Sequence, residues 1–284
     1  MIVTIPGGTG MLGRDLARVL AAAGIEVRAL ASTTCDVRDR ASVARQIAGA
    51  DIVINCAAFT RVDDAETERE ISQAVNVAGA GTVAACCAEQ GIRMFHIGSD
   101  YVFDGESDRP YRENDATGPL SAYGTDKLDG EIAVLDALPT ATVVRTQALF
   151  GVHGRHFVRA IMAACGRADE AVRVIDDQST CPTYTGHLAV ALQHLIAVEC
   201  SGVVHASASG SCSWYELACA IAARTGSEWP IEAVPTSAYP TPARRPLNAV
   251  LDKSLYESLT GHCLPSWREG LDAYLEEAHS RIDA

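Results

Sequence analysis

Short apolar runs alternate with stretches of helical periodicity through the first 150 residues. Residues 2–5 read as a strand, after which Leu12, Leu16, Val19 and Leu20 recur at helical spacing as far as Gly24, a helix stop. Residues 26–30 and 51–56 predict the next two strands; the latter, DIVINC, is apolar almost throughout, as in a strand covered on both faces. A helix over 74–90 ends at Gly91, a fourth strand covers 93–97, a helix over 122–138 ends at Pro139, and a fifth strand covers 141–145. This alternation predicts βαβ units, and hence an α/β, Rossmann-type, doubly wound and mainly parallel sheet.

Beyond Gly151 the rhythm loosens. Helices over 156–166 and 187–198 flank a turn-rich stretch at 176–183, followed by a strand at 203–206 and a helix at 214–225. A proline-dense loop spans 230–246, and a last helix lies near 266–279. The expected division is a dinucleotide-binding domain over 1–150 and a smaller, mainly substrate-binding lobe over 151–284, from which the chain is free to cross back.

Composition narrows the function. With 23 Lys and Arg against 36 Asp and Glu, the net charge of −13 argues against nucleic acid, whose binders neutralise phosphates. An anionic small substrate needs only a locally positive pocket. No apolar run approaches the roughly 20 residues of a membrane span, and the N-terminus reads as a strand, so no membrane association and a cytoplasmic location are expected. The ten cysteines form no CxxC and no zinc-like spacing with histidine, which predicts reduced thiols and no metal site.

The chemistry begins at Gly7-Gly8-Thr9-Gly10-Met11-Leu12-Gly13, between the first strand and first helix. Gly7, Gly10 and Gly13 keep a GxxGxxG spacing, which lets backbone N–H groups and a helix N-terminus approach a pyrophosphate. The second strand ends in Leu30-Ala31-Ser32-Thr33, without the acid that usually meets the ribose of NADH. Ser32 and Thr33 suit a 2′-phosphate, with Arg14 or Arg28 as candidate charges, so NADPH is favoured and NADH left open. Asp36 and Val37 are candidates for the adenine edge, and residues 57–60, including Ala58, Phe59 and Thr60, end the third strand where cofactor crosses the sheet.

Tyr123 and Lys127 form a YxxxK, four residues apart on one helix face. A neighbouring ammonium is expected to lower the phenol pKa toward working pH, fitting Tyr123 to protonate a ketone oxygen as hydride arrives, while Lys127 also orients the nicotinamide ribose. Ser99, just past the fourth strand, is placed to hold the substrate carbonyl. YxxxK is a weak pattern alone; with the glycine loop and a serine on a strand end it becomes specific.

These residues resemble an extended short-chain dehydrogenase/reductase, and more closely the dTDP-4-dehydrorhamnose reductase family. The resemblance runs nearly end to end, through GGTGMLG, NCAAFTRVDDAE (55–66), SDYVFDG (99–105), PLSAYGTDKLDGE (119–131), RTQALFG (145–151), DDQSTCPT (176–183), SWYELA (213–218) and YPTPARRPLN (239–248). It implies cofactor contacts at Gly10, Met11, Leu12, Asp36, Val37, Ala58, Phe59, Thr60, Tyr123 and Lys127. It implies substrate contacts at Ser99 and Asp100, with Tyr123 as proton donor. The expected reaction is reduction of the C4 ketone of dTDP-4-dehydro-6-deoxy-L-mannose, or of a close relative, by NAD(P)H. Ala148 stands where the family carries a tryptophan near the substrate, which leaves the sugar and nucleotide open. Some members dimerise around magnesium held by glutamates; Asp15 mimics one, but the segment at His187 lacks the expected acid, so Mg2+ is unsupported and a homodimer is left open.

Two rivals stand beside this reading. A nucleotide-sugar dehydratase or epimerase resembling this superfamily needs an Asp-Glu pair where this chain has Asp100-Tyr101. A non-catalytic, NADP-binding regulatory subunit resembling that of methionine adenosyltransferase typically loses the Tyr/Lys pair, which is intact here. Of the remaining polar residues, Arg244-Arg245 suits bidentate binding of a pyrophosphate, with Arg245 the candidate. His153 and His156 flank the junction, Asn76 is a hydrogen-bonding helix residue, and Trp214 and Tyr215 are packing residues.

Overall fold

The computed structural model describes residues 1–165 and 171–281. Its centre is a six-stranded sheet in which every neighbouring pair is parallel. The first five strands are β1 (Ile2–Pro6), β2 (Glu26–Leu30), β3 (Ile52–Asn55), β4 (Arg93–Ser99) and β5 (Thr142–Thr146). In space they run β5-β4-β3-β1-β2, with Gly202–His205 outside β5. The strand order reverses between β1 and β3, and the crevice beyond the carboxyl ends at such a reversal is where doubly wound sheets bind ligands.

Alternate residues of each strand serve opposite faces, which is why the strands read as unbroken apolar runs. On one face Val3, Ile5 and Ile54 meet Leu12, Leu16 and Leu20 of α1 (Met11–Ala22), with Leu188 and Leu192 from the helix Thr185–Ile196. α2 (Arg40–Gln46), α3 (Arg69–Gln73), α4 (Ala80–Gln90) and α5 (Ala122–Ala137) follow. On the second face Val53, Met94 and Val143 meet Val83, Cys86 and Cys87 of α4 and Val134 of α5. A π turn over Ala74–Gly79 joins α3 to α4. The resulting stretch Arg69–Gln90, of 22 residues, is long and apolar enough to cross a membrane by length and composition, contrary to the expectation that no run comes near. Its apolar face is instead covered by the sheet.

The second part of the chain is not one separate lobe. Thr185–Ile196 and Gly202–His205 return to the sheet layer, while a smaller core collects Phe150, Ile161, Leu217, Ile221, Trp267 and Leu271. Trp214 and Tyr215 pack against that core. The helix expected over 156–166 is Phe157–Ala164, capped by His156, and its expected end at Gly166 lies outside the described residues. The proline-dense loop contains a strand, Ile231–Val234, paired in parallel with Val172–Ile175. The turn-rich stretch contributes two short strands, Ser179–Thr180 and Thr183–Tyr184.

Candidate active site

The glycine loop is shaped by close approach. Gly7 has φ of +75°, and a Cβ there would come within 2.5 Å of the Ala57 nitrogen; one on Gly13 would come within 2.6 Å of the Gly7 carbonyl. Gly10 caps α1 without a side-chain hydrogen bond, and the first ladder bond runs from Arg14 N–H to the Gly10 carbonyl at 3.0 Å. The N–H groups of Met11, Leu12 and Gly13 therefore precede any intrahelical acceptor and face outward as anion-binding donors. Leu12 itself is buried in the core, so its part is played by its backbone. These residues fit the diphosphate of a dinucleotide.

The adenine side is less uniform. Asp36 is gripped by Arg38 through bonds of 2.9 and 2.7 Å, which hold its carboxyl below the usual range. Val37 is a core residue; a Cβ on Gly79 would touch it at 2.7 Å. Ser32 and Thr33 are exposed. Arg28 donates to the Ala48 carbonyl at 2.9 Å and lies 3.7 Å from Glu26. Arg14 donates to the Thr9 carbonyl at 2.8 Å, on the glycine loop itself. Beyond β3, Ala58 is half-buried, Phe59 buried and Thr60 exposed. The Asn76 carboxamide accepts from Phe59 N–H at 2.9 Å and donates to its carbonyl at 3.0 Å, acting as a one-residue strand partner.

Ser99 closes β4, paired in register with Thr146 of β5. α5 starts at Ser121, whose hydroxyl accepts from Gly124 N–H at 3.1 Å, and presents Tyr123 and Lys127 one turn apart. The Ser99 hydroxyl is near enough to Tyr123 to act against the effect of burial on its phenol, and the Tyr123 ring stands edge-on to Tyr101 at 5.4 Å. Lys127 is buried and donates to the Ile97 carbonyl at 2.6 Å. Burial lowers the ammonium to about 8, with Glu131 opposing. The expected acidification of the phenol does not occur: burial first, then the charge of Asp100, raise Tyr123 above its ordinary value. The physical reason is burial: desolvation of the phenol is the largest effect on it, and the ammonium is seated on the Ile97 carbonyl.

Asp100 is buried beside Ser99, whose hydroxyl donates to it at 3.2 Å. Burial lifts its carboxyl to about 7, opposed by hydrogen bonds from Ser99, the backbone and Gln147. Gln147, which carried no expectation, also donates to the Ala249 carbonyl at 2.8 Å and accepts from Leu251 N–H at 3.3 Å. Its neighbour Ala148 has φ of 46°, alone among described non-glycine residues in being left-handed. Arg245 is held by Asp63 at 2.8 and 3.1 Å and also donates to the Thr241 hydroxyl at 2.7 Å and the Ala243 carbonyl at 3.0 Å. Arg244 beside it is exposed, has no ion-pair partner among the described residues, and lines a cavity of about 370 Å³ with Asp104, Gln178, Thr236 and Tyr239. Asp15 is buried and taken up by Thr185 at 2.5 Å and Arg18 at 3.3 Å. Among the described residues no three His, Cys, Asp or Glu side chains converge as metal ligands.

Fold and site together define an extended short-chain dehydrogenase/reductase. The RmlD substrate binding domain family matches residues 1–280, and the chain belongs to this family of dTDP-4-dehydrorhamnose reductases. It is 43% identical over 277 residues to a dTDP-4-dehydrorhamnose reductase of Mycolicibacterium smegmatis, covering 95% of this chain and 83% of that one. It is 42% identical to a dTDP-4-keto-6-deoxy-D-glucose reductase of Streptomyces niveus over 75% of each chain. A crystal structure of dTDP-4-dehydrorhamnose reductase from Bacillus anthracis in complex with NADP superposes with a TM-score of 0.93 at 31% identity, covering 97% of this chain and 99% of that one.

Proposed function

We propose that this chain reduces the C4 ketone of a dTDP-linked 4-keto-6-deoxyhexose, dTDP-4-dehydro-6-deoxy-L-mannose or a close relative, with Tyr123 as proton donor. The observation that carries the reading is the convergence of Ser99, Tyr123 and Lys127 at the tip of β4, the strand beside β3, whose end packs on the glycine loop. NADPH, or NADH, supplies hydride to the carbonyl carbon when bound. Missing acid at residues 30–33, the exposed Ser32 and Thr33, and the NADP held by the Bacillus anthracis relative favour NADPH.

The remaining work falls to the chain. Ser99 donates a hydrogen bond to the ketone oxygen, and Tyr123 delivers its proton there as negative charge develops. The raised phenol serves this direction of reaction, because a donor has to arrive protonated. Lys127, charged below about pH 8, would hold the nicotinamide ribose of a bound cofactor and compensates the phenolate left behind. A dehydratase would need a second carboxylate at position 101, where this chain has Tyr101, its ring edge-on to Tyr123. The ten free cysteines fit a reducing, cytoplasmic setting.

The test is a turnover screen of dTDP-4-keto-6-deoxyhexoses, followed through loss of nicotinamide absorbance. Tyr123→Phe should lower kcat by roughly 10²–10⁴-fold with NADPH affinity near that of the parent, the range expected for a general acid. Binding of NADPH without turnover of any such sugar would favour the regulatory-subunit reading instead.

A further inference from the structure

The ion pair between Glu131 and Arg145 has no part in the steps above, yet it lies beneath them. Arg145 donates through Nε and Nη2 to Glu131 Oε2 at 3.0 and 2.8 Å, and the two side chains are 5% and 2% exposed. A pair so deeply buried contributes little stability that apolar side chains could not match. Its position offers another reason. Glu131 is one turn beyond Lys127 on α5, so Tyr123, Lys127 and Glu131 follow one another at intervals of four on one helix face.

The carboxylate is only half satisfied. Glu131 Oε1 is buried with no hydrogen-bond partner, and a Cβ on Gly98 would come within 2.5 Å of it. Gly98 lies between Ile97, whose carbonyl receives the Lys127 ammonium, and Ser99. The open oxygen therefore rests against the strand segment on which that ammonium is seated, in space that a side chain at position 98 would enter.

We propose that Glu131 is a positioning residue for Lys127: its carboxylate, paired with Arg145, holds the buried ammonium charged and seated at the tip of β4. This rests on the ketoreductase reading of the site and adds its counter-charge. The other groups facing Lys127 carry none. Cys56, at the end of β3, keeps its proton because it is desolvated. The His96 ring on β4 is held neutral by burial, with Nδ1 facing the Asn55 amide at 3.2 Å. Tyr123 is a neutral phenol, and Arg145 faces the carboxylate.

The experiment measures the pH dependence of NADPH affinity by fluorescence titration for the parent, Glu131→Gln, the double variant Glu131→Gln/Arg145→Met and, as a control without the ammonium, Lys127→Met. The parent should lose affinity above about pH 8, with Lys127→Met flat there. In Glu131→Gln the loss should begin about one pH unit lower, giving roughly tenfold weaker binding than the parent above that pH and equal binding below about pH 6. The double variant removes the unpaired arginine, which safeguards the fold, and should keep the shifted limb. A limb at the parent's pH in either variant, a uniform loss at all pH values, or a parent without the limb overturns the proposal. Because no sugar is needed, this outcome is separate from the turnover screen.

Discussion

At the scale of single residues, what decides the chemistry is desolvation more than proximity. Asp100 illustrates the sign. In the folded protein it keeps its proton up to about pH 7, whereas an unfolded chain loses it near 4. Between those values the folded state binds more protons, so this group's contribution to stability falls as pH rises. Lys127 works oppositely, its contribution rising between about pH 8 and the ordinary lysine value of about 10.4. Asp100→Asn, which mimics the protonated acid, should therefore gain stability over the parent, and gain more at pH 8 than at pH 5. Urea unfolding at the two pH values checks this, and an equal difference at both would assign the buried carboxyl an ordinary pKa. The sequence disclosed which residues meet but not this electrostatics: YxxxK is legible as a spacing, whereas the seat of the ammonium on Ile97 depends on a strand 30 residues away. Glu131 had a signal, four residues past Lys127, but its partner Arg145 comes from another strand.

Among elements, those buried on both faces were legible and those stabilised by a partner were not. β1, β3, β4 and β5 announce themselves because central parallel strands between two helical layers are largely buried on both faces, whereas the edge strand β2 buries only Leu30. Ile231–Val234 does not, since only Val234 of its four residues is buried and its pairing is supplied by Val172–Ile175. α2 is seven residues of mixed polarity held by the Asp39 cap, which accepts from Ala41 and Ser42 N–H. The π turn was likewise hidden inside an ordinary helical pattern. It carries Asn76, whose carboxamide grips both polar groups of Phe59 at the cofactor edge, while Ser72 one turn earlier donates to Asp126 of α5 at 2.6 Å. Asn76→Ala strands two buried backbone groups and should cost about 2 kcal/mol of stability. It should also raise the NADPH Kd several-fold, because residues 58–60 lose their template. Denaturant unfolding and cofactor titration measure the two effects; a stability loss with unchanged Kd would confine Asn76 to a scaffold role.

For the whole molecule the question is how a chain of net charge −13 attracts a nucleotide diphosphate. Returning Thr185–His205 to the sheet leaves the smaller core beside the strand tips, and the proline-dense segment is fastened toward β3 by the Arg245–Asp63 pair. That arrangement commits Arg245 to Asp63, Thr241 and the Ala243 carbonyl, and leaves Arg244, without an ion-pair partner among the described residues, on the adjoining cavity. The two arginines, equivalent in the sequence, thus separate into one paired with Asp63 and one exposed without an ion-pair partner among the described residues. Arg244→Ala should raise KM for the nucleotide sugar roughly 10–100-fold, the range for one charge-assisted hydrogen bond, with NADPH affinity unchanged. Arg245→Ala should instead lower the unfolding midpoint and affect both kcat and KM, since it releases the segment that frames the cavity. Steady-state kinetics with the sugar varied at saturating NADPH distinguishes them. If the KM effect followed Arg245 and spared Arg244, the diphosphate would have to displace Asp63 from its partner, and the cavity would be a product of the pairing and not the substrate's seat.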